Sequence, residues 1–201
     1  ISSTSNIYEI KISFKKNGKN DLIYSSDIPY MKNSTNKDSL KIFSKEIFLI
    51  CNRASKIKLD SIFYNHNSKL YNQIIKALVF YYSLDFNCPP IKEILIIRKG
   101  KNNNILDEKK LSFNSIIQPI SSKINSNVVF DKNKIKAIFE ENNKGKKLLI
   151  ALSYWIKAMS TNDPIFIFER LWRSLNSIYS LIGNNQNETQ NHIALRNLIL
   201  T

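Results

Sequence analysis

Residues 7–15 read IYEIKISFK. Ile10, Ile12 and Phe14 alternate with Lys11, Ser13 and Lys15, the two-residue period of a strand that buries one face. Asn17-Gly18 follows as a turn signal, and DLIYSS at 21–26 supplies a return strand before Pro29, so an opening hairpin is expected. From Asp38 the spacing changes. Leu40, Phe43, Ile47 and Ile50 recur as on one face of a helix, with Asp38 or Ser39 as N-cap, which predicts a helix to about Cys51. Asn67 or Ser68 caps a stronger helix, in which Leu70, Ile74, Leu78 and Tyr82 form one stripe. After Pro89-Pro90, IKEILIIRKGK at 91–101 has the β-branched run of a strand, and a further strand is expected near Leu111 to Ile117.

Beyond the polar stretch SSKINSN, 121–127, the pattern is helical. Asp131 caps a helix carrying Ile135, Ile138 and Phe139, which Gly145 is expected to end. Leu148, Leu149, Leu152, Trp155 and Ile156 mark a second helix over 146–159. Asp163-Pro164 opens a third, with Phe168, Leu171, Trp172, Leu175, Ile178 and Tyr179 as its apolar face and Gly183 as its stop. A short turn makes these two helices antiparallel neighbours, so Trp172 and Leu175 are expected to pack on Leu152 and Trp155. A last helix is expected from about Glu188. The fold class expected is α+β: an N-terminal mixed α+β unit over 1–127, packed on a C-terminal all-α helical bundle over 128–201.

Composition places the 201 residues, 43% hydrophobic and 23% charged, among globular chains. The formal net charge of +14 creates a field that gathers polyanions, and nucleic acid is the partner it suggests. The alternative is that Lys, Asn and Ile are over-used together through AT-rich codons. Short clusters favour function: Arg98, Lys99 and Lys101; Lys109 and Lys110; Lys144, Lys146 and Lys147. Cys51 and Cys88 make no C-x-x-C pair and no disulfide framework, which points to a reducing compartment, the cytoplasm. The longest apolar runs fall short of the roughly 20 residues of a membrane span. Two histidines and four glycines leave no metal-ligand spacing, P-loop or dinucleotide fingerprint, so neither metal nor cofactor is expected. The first residue is Ile1, and the chain is expected to be a fragment of a longer product.

The stretch LLIALSYWIKAMSTNDPIFIFERLWRSLNSIYSLIG, 148–183, resembles the two central helices of the HEPN (higher eukaryote and prokaryote nucleotide-binding) families, bacterial defence-associated members above all. Ala151, Leu152, Tyr154, Phe168, Leu171, Trp172 and Leu175 are the matching positions. The resemblance implies that the C-terminal bundle is HEPN-like. It also implies a metal-independent ribonuclease chemistry that acts on the RNA 2′-hydroxyl through an arginine and a histidine four to six residues later. No arginine here has a histidine at that spacing, and Thr201 stands where the shortest version from Arg196 would end. Asn176 stands where the families often have glutamate.

The expected function is RNA or other nucleic-acid binding without cleavage, in a bacterial defence or toxin–antitoxin system. Lys144, Lys146, Lys147, Arg173 and Asn176 are the candidate contacts. The first alternative is an endoribonuclease whose motif lies beyond residue 201. The second is a protein-interaction module, with a homodimer face on the C-terminal helices. Glu188, His192 and Arg196, each four residues apart on one helix face, are the only candidate catalytic group.

Overall fold

The computed structural model describes residues 6–32, 35–84, 89–112 and 130–183, together with 187, 189–191, 193, 194 and 197. The chain divides into two compact units, residues 1–81 with 89–119, and 82–88 with 120–201. The first unit is built on six strands, β1 (Asn6–Phe14), β2 (Leu22–Pro29), β3 (Lys37–Phe43), β4 (Glu46–Arg53), β5 (Ile91–Lys99) and β6 (Ile105–Ser112). All pairings are antiparallel and the order is β2-β3-β4-β1-β5-β6. This corrects the expected fold class. A six-stranded antiparallel sheet is followed by helices, in place of a mixed α+β unit set on an all-α HEPN-like bundle.

Two sequence signals misled. Residues 38–51 satisfy a helical spacing and an alternating one at once, because Leu40, Ile42, Ile47, Leu49 and Cys51 repeat every second residue on either side of a Ser44-Lys45 turn. The sheet buries all five and leaves Ile50, part of the helical stripe, exposed. Two strands therefore form in place of the helix. The opening hairpin is absent too. Gly18 does take the positive φ of a turn, 102°. The loop after it is drawn onto the β3–β4 turn, where Ser44 Oγ donates to the Lys19 carbonyl at 2.7 Å and accepts from Asp21 N–H at 3.0 Å. Asn20 Oδ1 accepts from Lys45 N–H at 3.0 Å. The chain thus passes β4 and β3 and lays β2 on the far edge, while β1 lies inside the sheet between β4 and β5. The last strand begins earlier than expected, at Ile105, in register with β5; 113–117 lie outside the described residues.

One face of the sheet is the core of the first unit. Tyr8, Ile10, Ile12 and Phe14 of β1 line it with Leu40, Ile42, Ile47, Leu49, Ile94 and Ile96. Helix α1 (Lys69–Leu84) covers it, with Tyr81 stacked on Phe14 at 4.1 Å and Phe80 against Tyr24 at 4.7 Å. The Tyr81 hydroxyl donates to the Ser44 carbonyl at 2.9 Å, which satisfies the polar tip of a buried ring.

In the second unit, Asp131 caps a short helix α2 (Lys132–Ile135) that tightens into a 3₁₀ turn over Lys136–Phe139, and Ile135, Ile138 and Phe139 are buried. Helix α3 (Asn143–Met159) and helix α4 (Pro164–Ile182) follow as neighbours. Asp163 Oδ1 accepts from Ile165 N–H at 2.9 Å and starts α4 with Pro164 at its first position. Gly183 ends it. Gly145 is no helix stop. It lies in the first turn of α3, its N–H bonded to the Asn142 cap at 2.8 Å, and a Cβ there would collide with the Glu140 carbonyl.

The packing of α4 also departs from expectation. Ser174 is its buried contact with α3, donating to the Ala151 carbonyl at 2.8 Å, and Arg170 donates to the Lys157 carbonyl at 2.7 Å. Phe168, Trp172 and Leu175 lie roughly 100–160° round the helix from Ser174, at 3.6 residues per turn. They are 70%, 50% and 44% exposed. The expected packing of Trp172 and Leu175 in a core with Leu152 and Trp155 is thus corrected; Trp155 meets Phe130 edge-on at 4.7 Å.

Gly145→Ala decides between helix propensity and space. Alanine gains about 1 kcal/mol of propensity in a helix, but the collision with Glu140 forces a backbone shift, and overpacking costs about 1–3 kcal/mol. The variant is expected to unfold at lower denaturant; a gain in stability would mean that the first turn of α3 is looser than described.

Candidate nucleic-acid interface

The buried face of the sheet is apolar along most of β1 and turns polar at its beginning, where Asn6 and Tyr8 lie across from Arg53 and Cys51 of β4. Asp38 of β3 meets Arg53 there in a two-pronged pair, Oδ1 to Nη1 and Oδ2 to Nη2, both 2.7 Å. Gln73 of α1 donates through Nε2 to Asp38 Oδ2 and to the Pro29 carbonyl, each at 3.0 Å. The Arg53 guanidinium also lies 4.3 Å from the Tyr30 ring centroid. Burial pulls the Arg53 pKa down, but the hydrogen bonds of Asp38 and the nearby charges outweigh it, and the net shift is upward. The pair fastens β3, β4, α1 and the end of β2 at one point.

Arg98 of β5 is held differently. It is 8% exposed, donates through Nη1 to Asn6 Oδ1 at 3.1 Å, and has its nearest carboxylate oxygen, on Asp107, at 4.0 Å. Its Nε has no hydrogen-bond partner. Of the cluster Arg98, Lys99 and Lys101, Arg98 is thus buried, and Lys99 is paired with Glu9 at 2.7 Å. The strand lysines are similarly compensated: Lys11 by Glu46 at 2.8 Å, Lys110 by Glu93 at 2.8 Å, Lys109 by Asp60 at 2.5 Å. Hydrogen bonds to these carboxylates raise the pKa of Lys109 and Lys110, and the Lys110 bond lowers that of Glu93. Such pairs leave little local field for an incoming phosphate. Sequence clustering of lysines on β5 and β6 overstated their availability, because the partner carboxylates come from elsewhere in the chain.

The lysines at 144, 146 and 147 are placed otherwise. Lys144 and Lys146 stand in the first turn of α3 and are exposed, and Lys147 follows directly after it, half-buried. Among the described residues none of the three forms an ion pair. The nearby Glu140 carboxylate accepts from Asn142 Nδ2 at 2.7 Å. A helix N-terminus is the positive end of its dipole, so three cations there oppose helix stability by roughly 0.3–1 kcal/mol each. The same addition of charges makes this end of α3 strongly attractive to an anion.

Arg173 and Asn176 are exposed on α4 but do not join that cluster. Arg173 is occupied, bonding Glu169 Oε1 at 2.7 Å and the Tyr154 hydroxyl at 3.5 Å. Tyr154 lies eight residues, about 12 Å of helix rise, beyond Lys146. His66, the one described histidine, stacks on Tyr71 at 4.9 Å. Glu188, His192 and Arg196 lie outside the described residues. Among the described residues no three His, Cys, Asp or Glu side chains gather as a metal would require, and no helix is long and apolar enough to cross a membrane. No protein family, curated protein or solved structure matches the chain.

Two outcomes follow from the buried network. Asp38→Ala leaves Arg53 buried without its counter-charge and is expected to cost about 3–5 kcal/mol, whereas the double change Asp38→Leu/Arg53→Met recovers most of that loss; equal losses in urea titrations would contradict the pairing. Burial, and then the Asp38 charge, hold the Cys51 thiol well above its ordinary pKa. Peptide mapping after iodoacetamide treatment at about pH 8.5, where an exposed thiol is half ionised, should find Cys51 unmodified in folded protein and labelled in denaturant.

Proposed function

We propose that the chain binds nucleic acid, RNA before DNA, by gathering phosphates on uncompensated lysines, with the first turn of α3 as the principal contact. The observation that carries this reading is the placement of Lys144, Lys146 and Lys147 at the positive end of a helix without a carboxylate partner. It is supported by the net charge of +14, which steers any polyanion toward the protein. The reading is one of binding without cleavage: general acid–base attack through a 2′-hydroxyl needs a group that exchanges protons near neutral pH, and no arginine of the sequence has a histidine at the spacing that the resemblance to HEPN families calls for. The resemblance of 148–183 to HEPN families extends the reading to a bacterial defence or toxin–antitoxin role. A buried reduced thiol at Cys51 agrees with action in the cytoplasm.

Fluorescence anisotropy with labelled single-stranded RNA and DNA across a salt series tests the proposal. Affinity should fall steeply with salt, as counterion release requires. Reversing Lys144, Lys146 and Lys147 to glutamate should weaken binding about tenfold or more at low salt, and should flatten the salt slope by about one for each phosphate that is no longer neutralised. Absence of binding at low salt, or a triple variant that binds like the parent, would overturn it.

A further inference from the structure

Arg98 lies on the buried face of the sheet, across from Tyr8 of β1, with its donors only partly used. Among the described residues its one hydrogen bond runs from Nη1 to Asn6 Oδ1 at 3.1 Å. Nε and Nη2, the two donors along the side of the guanidinium, make none. Arg53 offers the comparison, since both of its terminal nitrogens bond Asp38. The side of a guanidinium is a fork matched to two oxygens, and a buried donor left unmet costs free energy.

The acidic group nearest that side is the Asp107 carboxylate of β6, directly opposite Arg98 in the ladder. Its oxygen stays 4.0 Å from Nε, beyond hydrogen-bond reach. The Asp107 side chain is 42% exposed and stands on an edge strand. The β5–β6 ladder also shifts register between Arg98 and Lys99, an irregularity of the kind that re-aims side chains. Asp107 can therefore move away without breaking the sheet.

We infer that the Nε and Nη2 side of Arg98 is a binding site for a carboxylate, reached when the Asp107 side chain swings outward. Charge selects this ligand first. Asp38 is the only acid buried among the described residues, and Arg53 takes it, so Arg98 brings a positive charge that no buried acid balances. A carboxylate supplies one negative charge, whereas a phosphate monoester carries nearly two, an excess that burial penalises. Shape agrees. Nε has almost no surface open to solvent, so the approach is narrow and admits a flat end group before a tetrahedral phosphate or a nucleic-acid backbone. Asp107 itself already brings a carboxylate to that approach, and the incoming group exchanges like for like. The inference stands whether or not the α3 lysines bind nucleic acid.

Proton–nitrogen NMR of the arginine Nε–H groups in the full chain reads the site directly. Sodium acetate, titrated against sodium chloride at fixed ionic strength, should shift the Arg98 Nε–H signal downfield in a saturable way and slow its exchange with water. Nuclear Overhauser contacts to Asn6 identify that signal. Arg98→Lys, which keeps the charge but lacks the fork, should lose both signal and binding. Asp107→Asn removes the rival carboxylate and should tighten acetate roughly two- to fivefold, the worth of an exposed ion pair. N-acetyl-triglycine with a free or an amidated C-terminus separates the sources: competition by the free acid alone assigns a chain-end carboxylate, and binding by acetate without competition a small acid. Reversing Lys144, Lys146 and Lys147 to glutamate should leave the titration unchanged, so the nucleic-acid reading fails or holds separately. An Arg98 signal that acetate moves in neither the parent nor the Asp107→Asn protein refutes the inference, and so does tighter binding of inorganic phosphate than of acetate at this signal. Asp107→Asn protein that unfolds at lower denaturant with no gain in acetate affinity refutes it too, because Asp107 is then simply the partner of Arg98.

Discussion

The pair between Asp38 and Arg53 is the fixed point of the first unit. Two 2.7 Å hydrogen bonds hold a carboxylate and a guanidinium where neither has water to fall back on. Such a pair adds little net stability over a well-packed apolar pair, because desolvation of both ions offsets most of their attraction. What it supplies here is registration. Gln73 links the carboxylate to α1 and to the Pro29 carbonyl, so a slip of β3 against β4, or of α1 along the sheet, would strand a buried charge. The apolar part of the sheet, from Leu40 and Ile42 to Ile94 and Ile96, has no comparable means of specifying one alignment.

With the sheet fixed, part of the chain's large positive charge is compensated. On the strands, Lys11 stands opposite Glu46, Lys99 opposite Glu9 and Lys110 opposite Glu93, carboxylates that the topology brings alongside. At the start of α3, Lys144, Lys146 and Lys147 form no ion pair among the described residues, on a helix end whose own dipole opposes them. Lysines thus produce very different fields according to their neighbours, which composition does not record.

In α3 and α4 the same contrast concerns apolar residues. Between the helices, Ser174 donates to the Ala151 carbonyl and Arg170 to the Lys157 carbonyl. Close approach through a serine turns the stripe of large side chains aside, so the most hydrophobic part of α4 faces outward. Ala151 and Leu152 of α3 are buried, while Phe168, Trp172 and Leu175 of α4 are exposed.

The caps and turns were legible residue by residue, since each depends only on its immediate neighbours: Asp131 and Asp163 as N-caps, Gly18 in its turn, Gly183 after α4. The strand character of 7–15 and 91–99 and the helix over 69–84 were equally local, set by periods of two and of 3.6. The candidate cluster at 144, 146 and 147 could be named from sequence, and the helix expected over 146–159 already put Lys146 and Lys147 at its start; only Lys144 was left outside, because Gly145 read as a stop. The tertiary structure alone decided which of two compatible periods 38–51 obeys, which strand pairs with β1, which lysines find carboxylates, and which side of α4 faces α3. Each of these depends on contacts between residues far apart in the chain. Periodicity records that a face is apolar; only the arrangement of the other elements determines what, if anything, covers it.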